Sequence, residues 1–361
     1  NSKIDLKNGA KFTIDDQHPF DKGTEDIVGT TYSNLAEQLK VDDILLLDDG
    51  RIELRVEKIS GSKIVSEVIH GGLLYDSKGL NRKGGGLSAS AISDKDLEDI
   101  KVAAKIGIDY LAVSFAREAK DIELARKLLT EAGSDGGIIA KIERAEALDN
   151  IDEIIEASNA IMIARGDLGV EIGDAQLPAV QKNLIKKARK KDKVVITATQ
   201  MMESMITNSI PTRAEVFDVA NAVIDGTDAV MLSSETAMGD HPVEAVEAMS
   251  RICEGSEGQS PITSKTSNYS IENKKVDRAI AMACMLTADN LNPVAIAAIT
   301  ESGSTALWMS RINHSVPIFA LTTHTGTLRK ITLYRGVYPA RIKTIDTNHA
   351  TVNKDAVNVL T

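Results

Sequence analysis

The chain has 361 residues, of which 43% are hydrophobic and 26% are charged, and its formal net charge is -10. This length exceeds that of a usual single domain, so two or three domains are expected. The negative charge argues against binding to nucleic acid or to an anionic membrane through overall charge, and no apolar run approaches the roughly 20 residues of a membrane span. Since the first residues also lack a signal-peptide core, the sequence predicts a cytoplasmic protein.

Residues 1–86 are predicted to form a small all-β domain. Short segments such as DILLL and RIELRVEKI alternate apolar and polar positions, as strands with one buried face do. Turn signals such as Asn8-Gly9 and the sequence Asp48-Asp49-Gly50 separate them.

Residues 87–258 change to helix-length amphipathic segments that alternate with short apolar runs. The five runs are DYLAVSF, GIIAKI, AIMIAR, VVITAT and AVMLSS. Nearly continuous apolar strands between helices indicate a parallel sheet covered on both faces, so this region is predicted to be α/β.

The polar stretch 254–270 has the composition of a linker. Beyond it, a helix near 272–290 is followed by strands at 294–299 and 317–323 with a helix between them. A further helix and strand run to about 342, so residues 259–361 are predicted to form a second, smaller α/β domain.

Polar side chains follow every strand of the central region, at the end where a (β/α)₈ barrel builds its active site. They are Ser114 and Arg117, Lys141 and Glu143, Asp167, Thr199, and Ser233 and Glu235. A single charged residue at a strand end is more often solvated or part of an ion pair. Five strand ends that carry such residues together predict a site.

Lys141 interrupts an apolar strand, where an unpaired ammonium would be costly to bury. Since side chains along a strand repeat with a period of two, Lys141 and Glu143 lie on one face, which permits a structural ion pair or a joint site for a metal and an anion. Asp167, in ARGDLG, adds a second carboxylate from the neighbouring strand end, which favours a Mg²⁺ site. Gly166 would let the backbone approach a ligand, and the helix after it could direct N–H groups at an anion.

Two hydroxyl-bearing segments have local structural alternatives. Thr199 could be the N-cap of a helix over 200–206. The segment 300–305 follows a strand and opens a helix, which suits a phosphate but equally suits an ordinary capped turn.

The segments IIAKIERAEALDNIDEII, IMIARGDLGVEI and ITATQMMESMITNSIPTRAEVFDVANAVIDGTDAVMLSSETAMGDHPVEAV resemble the pyruvate kinase family of bacterial type, and the resemblance covers essentially the whole chain. It implies a (β/α)₈ TIM barrel, incomplete here, with an inserted small β-barrel lid domain and a C-terminal α/β regulatory domain. The implied activity is the glycolytic, Mg²⁺-dependent transfer of a phosphoryl group from phosphoenolpyruvate to ADP, which yields pyruvate and ATP. A homotetramer is also implied.

Residue by residue, the resemblance gives Lys141 the role of neutralising charge on the transferring phosphoryl group and on the enolate oxygen. Glu143 and Asp167 match ligands of Mg²⁺ or Mn²⁺. The backbone of Arg165, Gly166 and Asp167 matches the segment that receives the carboxylate of phosphoenolpyruvate.

Thr199 matches a residue beside that carboxylate, near the position where the enolate is protonated. Ser233 resembles a member of the proton relay. Asp49, in the turn of the lid, resembles a residue that reaches toward the nucleotide.

The resemblance also matches 300–305 to the effector loop of the family. The implied effector-binding residues are Thr300, Ser302, Gly303, Ser304 and Thr305. Family members that bind a sugar bisphosphate tend to carry a basic residue where this chain has Glu301. A phosphorylated monosaccharide or AMP is therefore the expected effector.

A closed barrel needs eight strand–helix units, and residues 93–258 contain five. In the family, three further units precede the lid and carry the phosphate-binding arginine and the K⁺ ligands. We therefore expect that the expressed protein is longer than this chain. Two alternatives for function stay open at this point, a lyase or mutase of phosphoenolpyruvate or pyruvate, and a catalytically silent protein that binds a phosphorylated metabolite.

Overall fold

The structure is a computed structural model that describes residues 3–87, 91–259, 276–312, 316–343 and 349–360. Four sheets organise these residues, two in the first part of the chain and one in each of the following parts. Among the helices of the described residues, none is both long and apolar enough to span a membrane.

The first part of the chain is built almost entirely from strands, as predicted, and the short helix α1 (Leu35–Gln38) is its main departure from β structure. The strands are β1 (Lys3–Leu6), β2 (Lys11–Asp15), β3 (Ile27–Gly29), β4 (Ile44–Leu47), β5 (Ile52–Ser60), β6 (Lys63–His70), β7 (Gly72–Tyr75) and β8 (Leu80–Arg82). Six of them form one sheet in the order β3-β2-β6-β5-β4-β8, and β1 pairs with β7. Alternate side chains such as Phe12, Leu54 and Ile64 fill its core.

The central part alternates strands with helices. In chain order its elements are α2 (Asp94–Ile106), β9 (Tyr110–Val113), α3 (Ala119–Glu131), β10 (Gly137–Ile142), α4 (Ala145–Asp149), α5 (Ile151–Ala157), β11 (Ala160–Ala164), α6 (Arg165–Ile172), α7 (Leu177–Lys190), β12 (Val194–Ala198), α8 (Arg213–Asp225), β13 (Ala229–Met231), α9 (Ser234–Ala237) and α10 (Pro242–Gln259). The five strands are parallel, in the order β13-β12-β11-β10-β9, so the predicted five-stranded sheet is confirmed.

Local capping sets where the longer helices begin and end. Ser93 accepts a hydrogen bond from the Asp96 amide while the Asp96 carboxylate accepts one from the Ser93 amide, and α2 ends just before Gly107, which has a φ of 72°. Thr212 and Glu215 form the same reciprocal cap at the start of α8. These caps satisfy amides that a helix leaves unpaired and define where each helix meets the connecting loops.

The two faces of the parallel sheet bury different partners. Ile138 and its same-face neighbours pack against the surrounding helices. Ile139 and Met162 point to the other face, where Leu307 and Tyr334 of the last part of the chain contribute to the same cluster. The three central strands, β10 to β12, are therefore buried on both faces, which explains their nearly continuous apolar sequences, while the outer strands β9 and β13 are less buried.

The last part of the chain forms a three-stranded parallel sheet in the order β14-β15-β16. Its elements are α11 (Val276–Leu291), β14 (Ile296–Ile299), α12 (Ser304–Ser310), β15 (Ile318–Thr322), α13 (Thr325–Lys330), β16 (Val337–Arg341) and α14 (His349–Leu360). The predicted order of elements is confirmed, while the domain boundaries near 86 and 258 stay predictions.

The predicted linker 254–270 is wrong in its first part, because α10 continues to Gln259. Helical hydrogen bonding continues through this polar segment, and the Ser256 hydroxyl donates to the Ile252 carbonyl at 2.6 Å. The rest of the predicted linker lies outside the described residues.

Candidate active site

Lys141 lies at the carboxyl end of β10, where two neighbours hold its ammonium group. Its Nζ is 2.6 Å from Glu143 Oε1 and donates to Ser114 Oγ, just after β9, at 2.9 Å. The side chain keeps 24% of its surface exposed. The ion pair that the sequence permitted as one of two alternatives is therefore present, and it leaves part of the Lys141 ammonium accessible to a ligand.

Glu143 is almost completely buried, with 1% of its surface exposed. While Oε1 pairs with Lys141, Oε2 accepts a hydrogen bond of 2.8 Å from the Phe115 amide. Phe115 has a φ of 55°, a conformation that a bulky residue seldom adopts. Both carboxylate oxygens are thus oriented by fixed donors.

Asp167 lies inside the first turn of α6, which begins at Arg165, so the helix that was expected after Gly166 begins before it. Burial raises its pKa to about 6, and the charges of Glu143 and Asp49 act in the same direction. The positive charge of Lys141 and a hydrogen bond to Asn81 partly offset this rise in pKa. The ionised form of Asp167 is therefore costly without a further cation.

The carboxylates fit a divalent cation by their chemistry. The negative charges that raise the pKa of Asp167 would be neutralised by a divalent cation, and Mg²⁺ accepts carboxylate oxygens as ligands. No group of three or more His, Cys, Asp or Glu residues that could hold a metal occurs in the part of the chain that the structure describes. A cation at Glu143 and Asp167 would thus take its remaining ligands from substrate and water.

Arg165 contributes its side chain to the structure of the loop after β12. The guanidinium donates to the carbonyls of Thr199 and Gln200 at 2.9 and 3.0 Å and pairs with Asp218 at 2.7 Å. Thr199 and Gln200 have φ values of 66° and 53°. Arg165 therefore stabilises an unfavourable backbone segment, a role that its sequence context does not indicate.

Thr199 connects this loop to the first turn of α6. Its Oγ1 accepts a 2.8 Å hydrogen bond from the Gly166 amide and donates to the Ala198 carbonyl at 2.6 Å. The Gly166 amide is thus already bonded within the chain. The alternative role of Thr199 as an N-cap is wrong, because the next helical turn is Glu203–Ile206 and is preceded by Met202.

Ser233 and Glu235 follow β13. The carboxylate of Glu235, which is 2% exposed, accepts hydrogen bonds from the amides of Ser233 at 2.7 Å and Met202 at 3.1 Å. Glu235 therefore joins the loops after β12 and β13 and fixes the backbone at Ser233.

The first part of the chain contacts the same end of the parallel sheet. Arg51, next to the turn that contains Asp49, pairs with Glu203 at 2.5 Å. Asn81 in β8 forms hydrogen bonds with both Asp167 and Glu171. No sequence signal identified Asn81, since it is one polar residue in a short strand.

The segment 300–305 belongs to the other parallel sheet, between β14 and α12, and helix α12 begins at Ser304. Gly303, with a φ of 88°, donates its amide to Thr300 Oγ1 at 3.0 Å, and the hydroxyls of Ser302 and Ser304 lie 2.9 Å apart. Thr305 falls within the helix. The loop is therefore a compact turn whose polar groups bond largely to one another.

Comparison with known proteins places the chain in a protein family. The profile described as pyruvate kinase, barrel domain, matches residues 1–246, and that of the pyruvate kinase alpha/beta domain matches 278–361. The chain is 51% identical to a pyruvate kinase from Buchnera aphidicola and 50% identical to pyruvate kinase II from Salmonella typhimurium, covering 99% of this chain and 75% of each relative. A crystal structure of a pyruvate kinase from Cryptosporidium parvum superposes with a TM-score of 0.88 at 34% identity, covering 98% of this chain and 73% of that one.

The five-stranded parallel sheet lies within the residues that the barrel-domain profile matches, which places the chain in a class of barrel enzymes. The chain belongs to the pyruvate kinase family. Its function is accordingly that of a pyruvate kinase, a phosphotransferase of glycolysis, and the lyase and binding-protein alternatives receive no support from these relatives.

Proposed function

We propose that Lys141, Glu143, Asp167 and Thr199 form the centre in which the phosphoryl group of phosphoenolpyruvate passes to ADP. The observation that carries this proposal is the position of Lys141, a partly exposed ammonium held 2.6 Å from Glu143 at the carboxyl end of the parallel sheet. Phosphoryl transfer depends mainly on positioning and on neutralising oxygen charge, which a fixed cation provides.

In the proposed reaction the bond between the enol oxygen and phosphorus breaks, and a terminal oxygen of ADP forms the new bond to phosphorus. Lys141 neutralises charge on the phosphoryl group and then on the enolate oxygen. The enolate takes a proton at carbon and becomes pyruvate, with Thr199 on the side of protonation and Ser233 in the relay. Asp49 approaches from the lid, toward the nucleotide.

Glu143 and Asp167 are the proposed ligands of Mg²⁺ or Mn²⁺, which when bound would neutralise phosphoryl and carboxylate oxygens. The backbone of Arg165, Gly166 and Asp167 is proposed to receive the substrate carboxylate. The Gly166 amide would have to exchange its hydrogen bond with Thr199 for one with the substrate.

Asp167→Asn is expected to raise the Mg²⁺ concentration for half-maximal activity about tenfold or more, because one of two anionic ligands is lost. A Mg²⁺ titration of the initial rate checks this. Asp174→Asn makes the same change of charge at an exposed residue just after α6 and serves as the control. An unchanged Mg²⁺ requirement in Asp167→Asn would place the metal elsewhere.

The segment 300–305 is proposed to bind a phosphorylated monosaccharide or AMP as an activator. Its hydroxyls and the left-handed Gly303 between β14 and α12 support this, although the same groups also form a self-contained turn.

Replacing Ser302 and Thr305 together with alanine is expected to abolish activation by these ligands without changing the basal rate, since two donors are lost. Rates measured over a titration of AMP and of sugar monophosphates check this. Thr287→Ala, which removes a hydroxyl bonded to the Ala283 carbonyl in α11, is the control. If the double variant is activated like the unmodified protein, the loop is only a cap.

The proposal also includes a homotetramer in the cytoplasm and K⁺ as a second cation, for which no ligand is assigned. Exposed apolar side chains on α8 and α10 support self-association, since they include Phe217 at 70%, Val243 at 64% and Val246 at 54% exposure.

A further inference from the structure

Arg144 follows the proposed metal ligand Glu143 and is itself buried, with 6% of its surface exposed. Its Nη1 donates to the carbonyl of Leu87, while Nε has no hydrogen-bond partner among the described residues. Burial of a guanidinium is costly, and beyond the charge of Glu171 it calls for a further compensating interaction.

That interaction is with an aromatic ring. Arg144 Cζ lies 5.1 Å from the centre of the Phe115 ring, which is within the range of a cation–π contact. Phe115 is the residue whose left-handed backbone directs its amide at Glu143 Oε2 over 2.8 Å. The conformation is unfavourable for a bulky side chain, so the ring must be held in place for the amide to stay there.

Glu143 depends on this amide because its other oxygen is already paired with Lys141. If the Phe115 amide moved away, Oε2 would lose its hydrogen bond and the carboxylate could turn toward Lys141. The orientation in which Glu143 presents an oxygen to a metal would then be less populated.

We propose that Arg144 is a positioning residue for the metal site: through the Phe115 ring it holds the amide that orients Glu143. Through Leu87 it also fixes the segment that leaves β8 beside the site. This inference rests on the proposed role of Glu143 as a metal ligand.

Arg144→Met tests the inference through Mn²⁺ binding, followed by the electron paramagnetic resonance of free Mn²⁺ in a titration of the whole protein. The dissociation constant is expected to rise about tenfold, the usual scale for loss of a group that orients a ligand. Removing a positive charge near the metal would by electrostatics alone tighten Mn²⁺ binding. Weaker binding therefore distinguishes positioning from a simple effect of charge.

Arg126→Met is the matched control. Its guanidinium is also partly buried and donates to a single carbonyl, that of Ala157, at 2.7 Å, but it lies in α3 away from the site. Its Mn²⁺ affinity should equal that of the unmodified protein, and circular dichroism should show that both variants are folded.

Phe115→Leu provides a second route that keeps the guanidinium and an apolar side chain. It should weaken Mn²⁺ binding as Arg144→Met does. The double variant should bind Mn²⁺ no more weakly than the single variant of lower affinity, because both changes break the same contact. If Arg144→Met does not fold, Phe115→Leu alone decides the question.

Glu143→Gln separates the two proposals. If Glu143→Gln binds Mn²⁺ like the unmodified protein, the metal assignment itself fails. If Glu143→Gln weakens binding but Arg144→Met and Phe115→Leu do not, the metal ligand stands and the positioning role of Arg144 is overturned.

Discussion

Lys141→Met is expected to lower kcat for pyruvate formation by about 10² to 10⁴, the scale for removing a central donor that stabilises developing charge. Methionine keeps an unbranched side chain that is one atom shorter and carries no charge. The fold should survive, because Glu143 retains the Phe115 amide and Lys141 is only partly buried. The measurement is pyruvate produced from phosphoenolpyruvate, with and without ADP and Mg²⁺.

Lys182→Met is the control for this variant. Lys182 pairs with Asp225 at 2.5 Å and is 55% exposed, so its loss should leave kcat unchanged. A near-normal rate in Lys141→Met would remove Lys141 from the chemistry. In the unmodified protein, pyruvate formed without ADP would instead indicate a lyase, and no pyruvate at all a binding protein.

The sequence was most informative where the pattern is local and repeated. Apolar runs between helical segments predicted five parallel strands, and the period of two along a strand predicted that Lys141 and Glu143 lie on the same face, where they form an ion pair. Both follow from backbone geometry that neighbouring residues determine.

Contacts between distant segments were beyond the reach of such patterns. Arg165 binds the loop after β12, and Asn81 reaches α6 from the first sheet. These partners depend on how separate elements pack. The Phe115 amide was missed for a related reason, since its φ of 55° cannot be inferred from a strand-like sequence.

The effect of packing on local preference is equally clear at the end of α10. The glycines and serines near 254–259 predicted a linker, yet the helix continues through them to Gln259. Composition indicates only the local conformational preference of a segment, and tertiary contacts can outweigh that preference.

Asp228 was not identified from the sequence, although its side chain is completely buried and contacts the last part of the chain. It pairs with Arg311, and the two side chains are 0% and 3% exposed. The amides of Val195 and Arg335 donate to the same carboxylate at 2.9 and 3.2 Å. Asp228 thus joins β12 to residues of the last part of the chain, immediately before β13.

Asp228→Asn is expected to lower the free energy of unfolding by about 3 to 5 kcal/mol, because Arg311 would remain buried without its counter-charge. Urea unfolding followed by fluorescence is a suitable measurement. Trp308 is the only tryptophan in the chain and lies in α12, so its signal reports on the part of the protein that Arg311 anchors.

Asp109→Asn is the matched control, since Asp109 also joins the two parts of the chain by pairing with an arginine. Arg329 Nε lies 2.9 Å from Asp109 Oδ2, but the two side chains are 54% and 27% exposed. A solvated pair of this kind contributes up to about 1 kcal/mol, because water replaces much of what is lost. If Asp228→Asn and Asp109→Asn lowered the free energy of unfolding by the same amount, burial would not explain the contribution of the Asp228–Arg311 pair to stability.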